Sequence, residues 1–488
     1  MTQAQLEKYL WGAAVHLRGH IDAGDYKQYI FPLLFFKRIA DVYDEEYAQA
    51  LQASGDDLDY ASFAEQHHFQ IPEGAHWRDV RAQTTDVGAA LQRAMQQIEQ
   101  ANPDVLAGIF GDANWTNKDR LADATLLNLI EHFSQYTLTL AAVPQDQLGN
   151  GYEYLIKKFA DDSGHTAAEF YTNRTVVRLM TLLMDPQPGE SIYDPTCGSG
   201  GLLLNAALQL KTAGQEYRTL RIYGQEINLI TSSIARVNML LHGIEDFQIA
   251  RGNTLSQPRL LRHDQLRQFD VVLANPPYSI KRWDQRGFAH DPWGRNLWGT
   301  PPQGCADYAF QQHIQRSTKP DTGRSVVLHP HGVLFRNQEA HIRRKMLEAD
   351  VVDTVIGLGP NLFYNSPMES CLLLCRSRKP AERQGRILFI NAVGEVKTEK
   401  TISHLGEHHI QKILETYRDF QDVEGFAKVV PVADVLANGG NLNISLYAGK
   451  TRLPVEAISL YETVQEWNNA ATELRLSLTT LLTELQDA

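Results

Sequence analysis

Cysteine is scarce in this chain: Cys197, Cys305, Cys371 and Cys375 are the only four among 488 residues. So few thiols make no disulfide framework, and a reducing, cytoplasmic setting is expected. Cys371 and Cys375 share one apolar run, Cys371-Leu372-Leu373-Leu374-Cys375, with no His or Cys pair at ligand spacing nearby. They read as core thiols, and no metal is expected. Long apolar runs are lacking too. The richest early stretch, residues 29–36, contains Pro32 and falls well short of the roughly 18–20 residues a membrane span needs. No basic, apolar leader opens the chain, so no membrane partner is expected. Internal repeats and low-complexity segments are absent. So are the G-x-G-x-x-G dinucleotide fingerprint and the Lys-Ser/Thr pair of a phosphate loop.

Excess positive charge is also missing. The net charge is −12, whereas a protein that grips nucleic acid alone is usually basic. Residues 1–150 hold 10 Lys/Arg against 21 Asp/Glu, so nearly all of the imbalance lies there. One basic run stands out: between 316 and 345 lie Arg316, Lys319, Arg324, Arg336, Arg343, Arg344 and Lys345, against Asp321 and Glu339. It reads either as a solvated helix face or as a nucleic-acid patch.

Three regions are expected. Residues 1–150 form an acidic helical domain. Apolar positions Leu6, Leu10, Ala13, Ala14 and Leu17 recur at helical spacing, as do Leu33, Leu34, Phe36, Ile39 and Ala40. Breaks fall at Ser54-Gly55-Asp56-Asp57 and Ala101-Asn102-Pro103-Asp104. Residues 151–450 form an α/β domain, with strands expected at Ser191–Asp194, 221–225, 269–274, 325–328, 352–357, 369–375 and 386–390. Helical patterns between them predict a doubly wound sheet with ligands at its carboxyl edge. Residues 451–488 form a helical tail. Leu460, Val464, Trp467, Ala471, Leu474, Leu478, Leu481 and Leu485 make an a/d seam, and the seam predicts a partner helix.

Two strand ends carry chemistry. The first is Asp194-Pro195-Thr196-Cys197-Gly198-Ser199-Gly200-Gly201. An acid at a strand tip, followed by glycines that let a ligand approach the backbone, suits a cofactor with an amino group and no phosphate, as S-adenosylmethionine is. The next strand ends at Glu226, whose carboxylate can hold ribose hydroxyls. In the turn Gly252-Asn253-Thr254-Leu255, Asn253 is the candidate contact for the cofactor's adenine. The second strand end is Asn275-Pro276-Pro277-Tyr278. Two prolines fix φ and remove two donors, leaving an amide, outward carbonyls and a ring as a slot for a flat amine. Read alone, the tetrapeptide is equally a turn after a buried strand.

With Glu169-Phe170-Tyr171-Thr172-Asn173-Arg174 before both motifs, the chain resembles the modification subunit of type I restriction-modification systems. The likeness extends through Tyr152-Glu153-Tyr154-Leu155, Ala306-Asp307-Tyr308-Ala309-Phe310 and the stretch from Leu328 to Arg336. It continues through Gly359-Pro360-Asn361-Leu362-Phe363-Tyr364 and Asn441-Leu442-Asn443-Ile444. The resemblance implies methyl transfer from S-adenosylmethionine to adenine N6 in double-stranded DNA. It implies catalytic Asn275, Pro276, Pro277 and Tyr278, with Tyr278 and Phe363 stacking on a flipped base. The cofactor residues are then Phe170, Tyr171, Thr172, Asp194, Thr196, Gly198, Ser199, Gly200, Gly201, Glu226 and Asn253. The partners it implies are a specificity subunit bound through the C-terminal helix and N-terminal domain, a second copy of this subunit, and a restriction/translocase subunit. Asn173 stands where the family often has Pro, Tyr278 where it often has Phe, and Asn253 where related enzymes often carry an acid. Cytosine C5 chemistry is disfavoured, because no Pro-Cys pair occurs. Methylation of cytosine N4, of a protein glutamine amide or of an RNA base, and a non-catalytic assembly subunit, stay open as alternatives.

Overall fold

A computed structural model describes residues 1–162, 172–362, 369–397 and 403–449, together with residues 465, 467, 470–472, 474 and 475 of the tail. The acidic region is helical as expected. Helix Gln3–Leu17 opens with a capping box between Thr2 and Gln5 and buries Leu6, Leu10, Ala13, Ala14 and Leu17. Helix Lys27–Ser54 ends where Gly55 turns left-handed at φ 70°. Helix Val87–Ala101 stops before Pro103, which starts the next turn of helix. Helix Gln145–Asp162 runs without interruption through position 150. The helical region and the sheet share a core: Ile234, Val237 and Leu241, from helix Leu229–Leu241, pack into the N-terminal cluster.

Among the described residues there are eleven strands: β1 Ser191–Asp194, β2 Arg221–Glu226, β3 Phe247–Arg251, β4 Leu261–Arg262, β5 Gln265–Leu266, β6 Val271–Ala274, β7 Arg324–Pro330, β8 Val352–Leu358, β9 Ser370–Arg376, β10 Arg386–Ala392 and β11 Ala427–Pro431. Nine form one sheet in the order β11-β10-β8-β9-β7-β6-β1-β2-β3, while β4 and β5 pair as a separate hairpin. Pairing is parallel except around β9, which inserts antiparallel between β7 and β8, and at the edge strand β11. Alternate side chains serve opposite faces. Ile192, Val271 and Leu273 join one cluster, Tyr193, Val272 and Ala274 another. Each of the seven expected strands forms. β3 carried no signal: its Phe-Gln-Ile-Ala-Arg sequence lies on a sheet edge and no residue in it is fully buried. At the opposite edge, β11 is short and ends in Pro431.

The basic run between 316 and 345 divides between residues with internal partners and exposed ones. Lys319 pairs with Asp270, Arg324 with Glu190, and Arg336 with Asp307 and Glu339. Arg343 is 2% exposed and donates to the carbonyls of Gly440, Val333 and Arg336. Arg316, Arg344 and Lys345 are exposed, so part of the run is a solvated face and the rest is tied into the fold. Cys371 and Cys375 are buried. No described helix is long and apolar enough to cross a membrane. In the tail, Trp467 and Leu474 are helical and 71% and 62% exposed, respectively. Leu460, Val464, Leu478, Leu481 and Leu485 lie outside the described residues.

Candidate active site

The strand order reverses at β1, which has β2 on one side and β6 on the other. This switch point places the tips Asp194, Glu226 and Asn275 side by side at the carboxyl edge, where open α/β sheets bind ligands. A cavity of about 480 Å³ opens there, lined by Thr196, Glu226, Ile227, Asn253, Asn275, Pro276, Pro277 and Tyr278 among others. A narrow crevice continues from it past Thr172, Asp194, Thr196, Gly198, Ser199 and Gly201. Thr196 and Asn275 belong to both.

Asp194 is buried, and its carboxylate accepts from the Thr196 N–H at 2.9 Å. Burial, with a smaller contribution from the charge of Glu226, pushes its pKa up to about 8. Glu226 accepts from the backbone N–H groups of Gly198 (3.1 Å) and Asn228 (2.9 Å). The acid at the tip of β2 therefore braces the glycine turn after β1. That turn needs left-handed backbone at Gly198 (φ 54°) and Gly200 (φ 81°). Gly200 starts helix Gly201–Thr212 and lies against Met239, behind the crevice. Asn253 spends its side-chain oxygen on the N–H groups of Leu255 (2.9 Å) and Ser256 (3.2 Å). Only its amide NH2 is left for the cavity.

At the tip of β6, Asn275 Nδ2 donates to Thr172 Oγ1 at 3.0 Å. With Nδ2 engaged in this way, Oδ1 is left as an acceptor at the cavity. Pro276 is buried and Pro277 exposed. Tyr278 packs against the sheet core with its hydroxyl inside, and burial holds the phenol far above its ordinary pKa. Phe170, Tyr171 and Phe363 fall outside the described residues. Asn173 is buried. It caps helix Arg174–Met184 through the Thr175 N–H and donates to the Ser403 carbonyl at 2.9 Å. An Asn in place of Pro therefore gains two anchoring bonds.

Several site residues escape sequence reasoning. Ile227, 61% exposed, projects beside Glu226; its signal was an apolar residue just past a strand tip. Ile280, Arg282 and Trp283 form a further cavity wall, and Phe310 completes it. The segment carrying them is latched by Arg295, which is 1% exposed. Arg295 grips Asp291 and donates to the carbonyls of Thr254 (2.8 Å) and Leu255 (2.7 Å), in the turn that carries Asn253. Nothing in the sequence linked residue 295 to that turn.

The family model for N-6 DNA methylases matches residues 143–454, which hold every element of this site, and that of the HsdM N-terminal domain matches residues 6–133. The chain belongs to the N-6 DNA methylase family, in its type I restriction-modification branch. Its relatives include the type I restriction enzyme MjaVIII methylase subunit of Methanocaldococcus jannaschii, 31% identical over 92% of this chain and 79% of the relative. The MjaVII methylase subunit of the same organism is also 31% identical, over 75% of this chain; there the match spans 63% of the relative's length. Among solved structures, the type I methyltransferase subunit from Streptococcus thermophilus superposes with a TM-score of 0.78. It is 30% identical and covers 92% of this chain and 100% of its own. In this methylase, the matched region carries both Asp194 and Asn275, and the separate N-terminal match coincides with the acidic helices.

Proposed function

We propose that this chain methylates adenine N6 in double-stranded DNA with S-adenosylmethionine, as the modification subunit of a type I restriction-modification complex. The observation that carries the reading is the Asn275 amide. Thr172 holds its NH2, so its oxygen is the acceptor offered at the junction of cavity and crevice. An exocyclic amine is a weak nucleophile because its lone pair is delocalised into the ring. Accepting its two hydrogens, at Asn275 Oδ1 and the Pro276 carbonyl, favours a more tetrahedral and more nucleophilic nitrogen. Positioning supplies most of the remaining catalysis. The target adenine must leave the duplex. Tyr278 would stack on it, a contact worth about 1–3 kcal/mol, with Phe363 proposed for its other face.

The pocket's donor set fits the cofactor. Two carboxylates meet a glycine turn, and the guanidinium beside the crevice, Arg174, is already paired with Glu153. That suits a ligand with a cationic end and no phosphate. Bound there, S-adenosylmethionine supplies a methyl group already activated on a sulfonium. Asp194 would hold its ammonium and Glu226 its ribose hydroxyls. Thr172, Thr196, Gly198, Ser199 and Gly201 would line its path, with Phe170 and Tyr171 beside them and Gly200 setting the turn. Ile227 and Asn253 would flank its adenine. Asn253 then offers a donor where an acid would offer an acceptor.

The proposed division is residues 1–150 for docking, 151–450 for catalysis and 451–488 for assembly. Partners are a specificity subunit that reads the DNA, a second copy of this chain and a restriction/translocase subunit. The reading is tested by offering the purified complex duplex DNA, RNA and protein with labelled cofactor, then sequencing modified bases. N6-methyladenine in DNA is expected. Label confined to RNA or to a glutamine amide would replace this reading with another methyltransferase, and no cofactor binding would leave a non-catalytic assembly subunit.

A further inference from the structure

Behind the Asn-Pro-Pro-Tyr corner the chain turns sharply. Ser279, the residue after Tyr278, sits at φ 49°, a left-handed conformation that a residue with a side chain adopts only at a cost. Something must hold it. Its N–H donates to Asp307 Oδ1 at 3.1 Å. Its hydroxyl accepts from Arg336 Nη2 at 3.2 Å, while Arg336 Nη1 donates to Asp307 Oδ2 at 2.9 Å. One guanidinium thus bridges the turn and the carboxylate that grips it. Asp307 is 2% exposed and starts helix Asp307–Arg316. Arg336 follows the 3-10 turn His331–Leu334 at the end of β7.

Arg336 is itself fixed. Its carbonyl accepts from Arg343 Nη1 at 2.8 Å, and its N–H donates to the Gly332 carbonyl. A Cβ at Gly332 would lie 2.8 Å from Arg336 Nε, so the side chain can lie there only over a glycine. Glu339, 0% exposed, approaches Arg336 Nη1 at 3.5 Å from the other side. Cys305 completes a group in which its sulfur and oxygens of Asp307 and Glu339 lie within 4.8 Å of one another. Arg336 already supplies the positive charge there, so the group is not a cation site.

We propose that Asp307 and Arg336 are positioning residues for methyl transfer. By locking Ser279 in its left-handed turn, they set the direction of the Pro276 carbonyl and the Tyr278 ring. Neither side chain lines the described cavity or crevice, so both act through Ser279. The inference rests on the reading that residues 275–278 receive the target amine. It also gives Asp307, in the family-like stretch Ala306-Asp307-Tyr308-Ala309-Phe310, and Arg336, at the end of the stretch from Leu328, a task beside the cavity wall that Phe310 forms.

The experiment uses the assembled complex and the variants Asp307→Asn, Asp307→Ala, Arg336→Met, Arg336→Lys and Ser279→Ala. A misplacement near 1 Å costs roughly 100-fold in rate. Asp307→Ala and Arg336→Met should therefore lower kcat by about 10- to 100-fold. KM and calorimetric affinity for S-adenosylmethionine should stay within about twofold, because the cofactor walls are untouched. Asp307→Asn keeps an acceptor for the Ser279 N–H and should lose less than Asp307→Ala. Arg336→Lys should recover part of kcat, and Ser279→Ala should show a small loss. With 2-aminopurine at the target position, the kcat-impaired variants should quench the flipped base less than wild type does. Wild-type kcat in Asp307→Asn and Arg336→Met together would overturn the clamp. So would a parallel fall of cofactor affinity and kcat, which marks general destabilisation. Should Asp307→Ala fail to fold, Asp307→Asn and Arg336→Met still decide. A wild-type complex that transfers no methyl to DNA overturns the underlying reading instead, so the two failures are distinct.

Discussion

In the proposed mechanism Asn275 serves an amine only with its amide oxygen toward the cavity, as it stands when Nδ2 donates to Thr172. Asn275→Ala should lower methyl transfer by roughly 100- to 1000-fold, the cost of losing one preorganised polar group, while calorimetric cofactor binding survives. Normal methylation by that variant would remove Asn275 from the mechanism. Thr172→Val should give a smaller loss of kcat, because the amide is then free to flip. Asp194 makes a pH-dependent prediction. Its folded pKa, about 8, lies above the ordinary aspartate value near 3.9. The folded state therefore keeps a proton that the unfolded state releases, and this group's contribution to stability falls as pH rises from about 4 to 8. Glu339, pushed up to about 7 chiefly by burial, acts in the same direction. An ammonium partner favours ionised Asp194, so cofactor binding below pH 8 should release a proton. Affinity should climb with pH by at most about tenfold per unit and level off above 8. Calorimetry in buffers of different ionisation enthalpy measures that proton, and Asp194→Asn should abolish the slope.

At the scale of elements, the segment between β6 and helix Asp307–Arg316 behaves as a wall held at both ends. Asp307 holds its start at Ser279, and Arg295 ties its later part to the Thr254–Leu255 backbone. The Asp291–Arg295 side chains are each 1% exposed, and removing one partner of such a buried pair costs about 3–5 kcal/mol. Arg295→Met should therefore lower the melting temperature and weaken cofactor binding together. The double variant with Asp291→Ala should regain stability, since no charge is left stranded, but not affinity, since the two carbonyls stay ungripped. If the double variant binds cofactor normally, Arg295 does no more than hold the fold. These latches explain why the site was only partly legible. Asp194, Glu226 and Asn275 end apolar strands, and strand ends can be read from sequence. Arg295 and Arg336 sit in loop sequence, where an arginine destined for a buried or paired position looks like any solvated one.

For the whole molecule, the chain presents an acidic helical region, a sheet domain near charge balance and a tail with exposed Trp467 and Leu474. Four of the seven basic residues between 316 and 345 serve internal pairs and carbonyls, which leaves only the exposed Arg316, Arg344 and Lys345 to add phosphate attraction. A partner that supplies it is the expected consequence. Removing residues 455–488 should leave cofactor binding unchanged and impair co-purification with the specificity subunit. A truncated chain that still co-purifies fully would assign the tail another task.

Periodicity and punctuation in the sequence determined the class of fold, the seven interior strands and the two chemical tips. Apolar spacing and turn residues act locally, over a few neighbours. The antiparallel insertion of β9, the edge strand β3, the contact of Asn275 with Thr172, the burial of Arg295 and the pairing of Arg336 with Asp307 were decided only by tertiary structure. Each depends on a group tens of residues or more away: 103 residues separate Thr172 from Asn275, and 57 separate Ser279 from Arg336. Such pairings leave no local pattern, because what specifies them is the burial of a polar group whose partner is known only once the chain has closed around it.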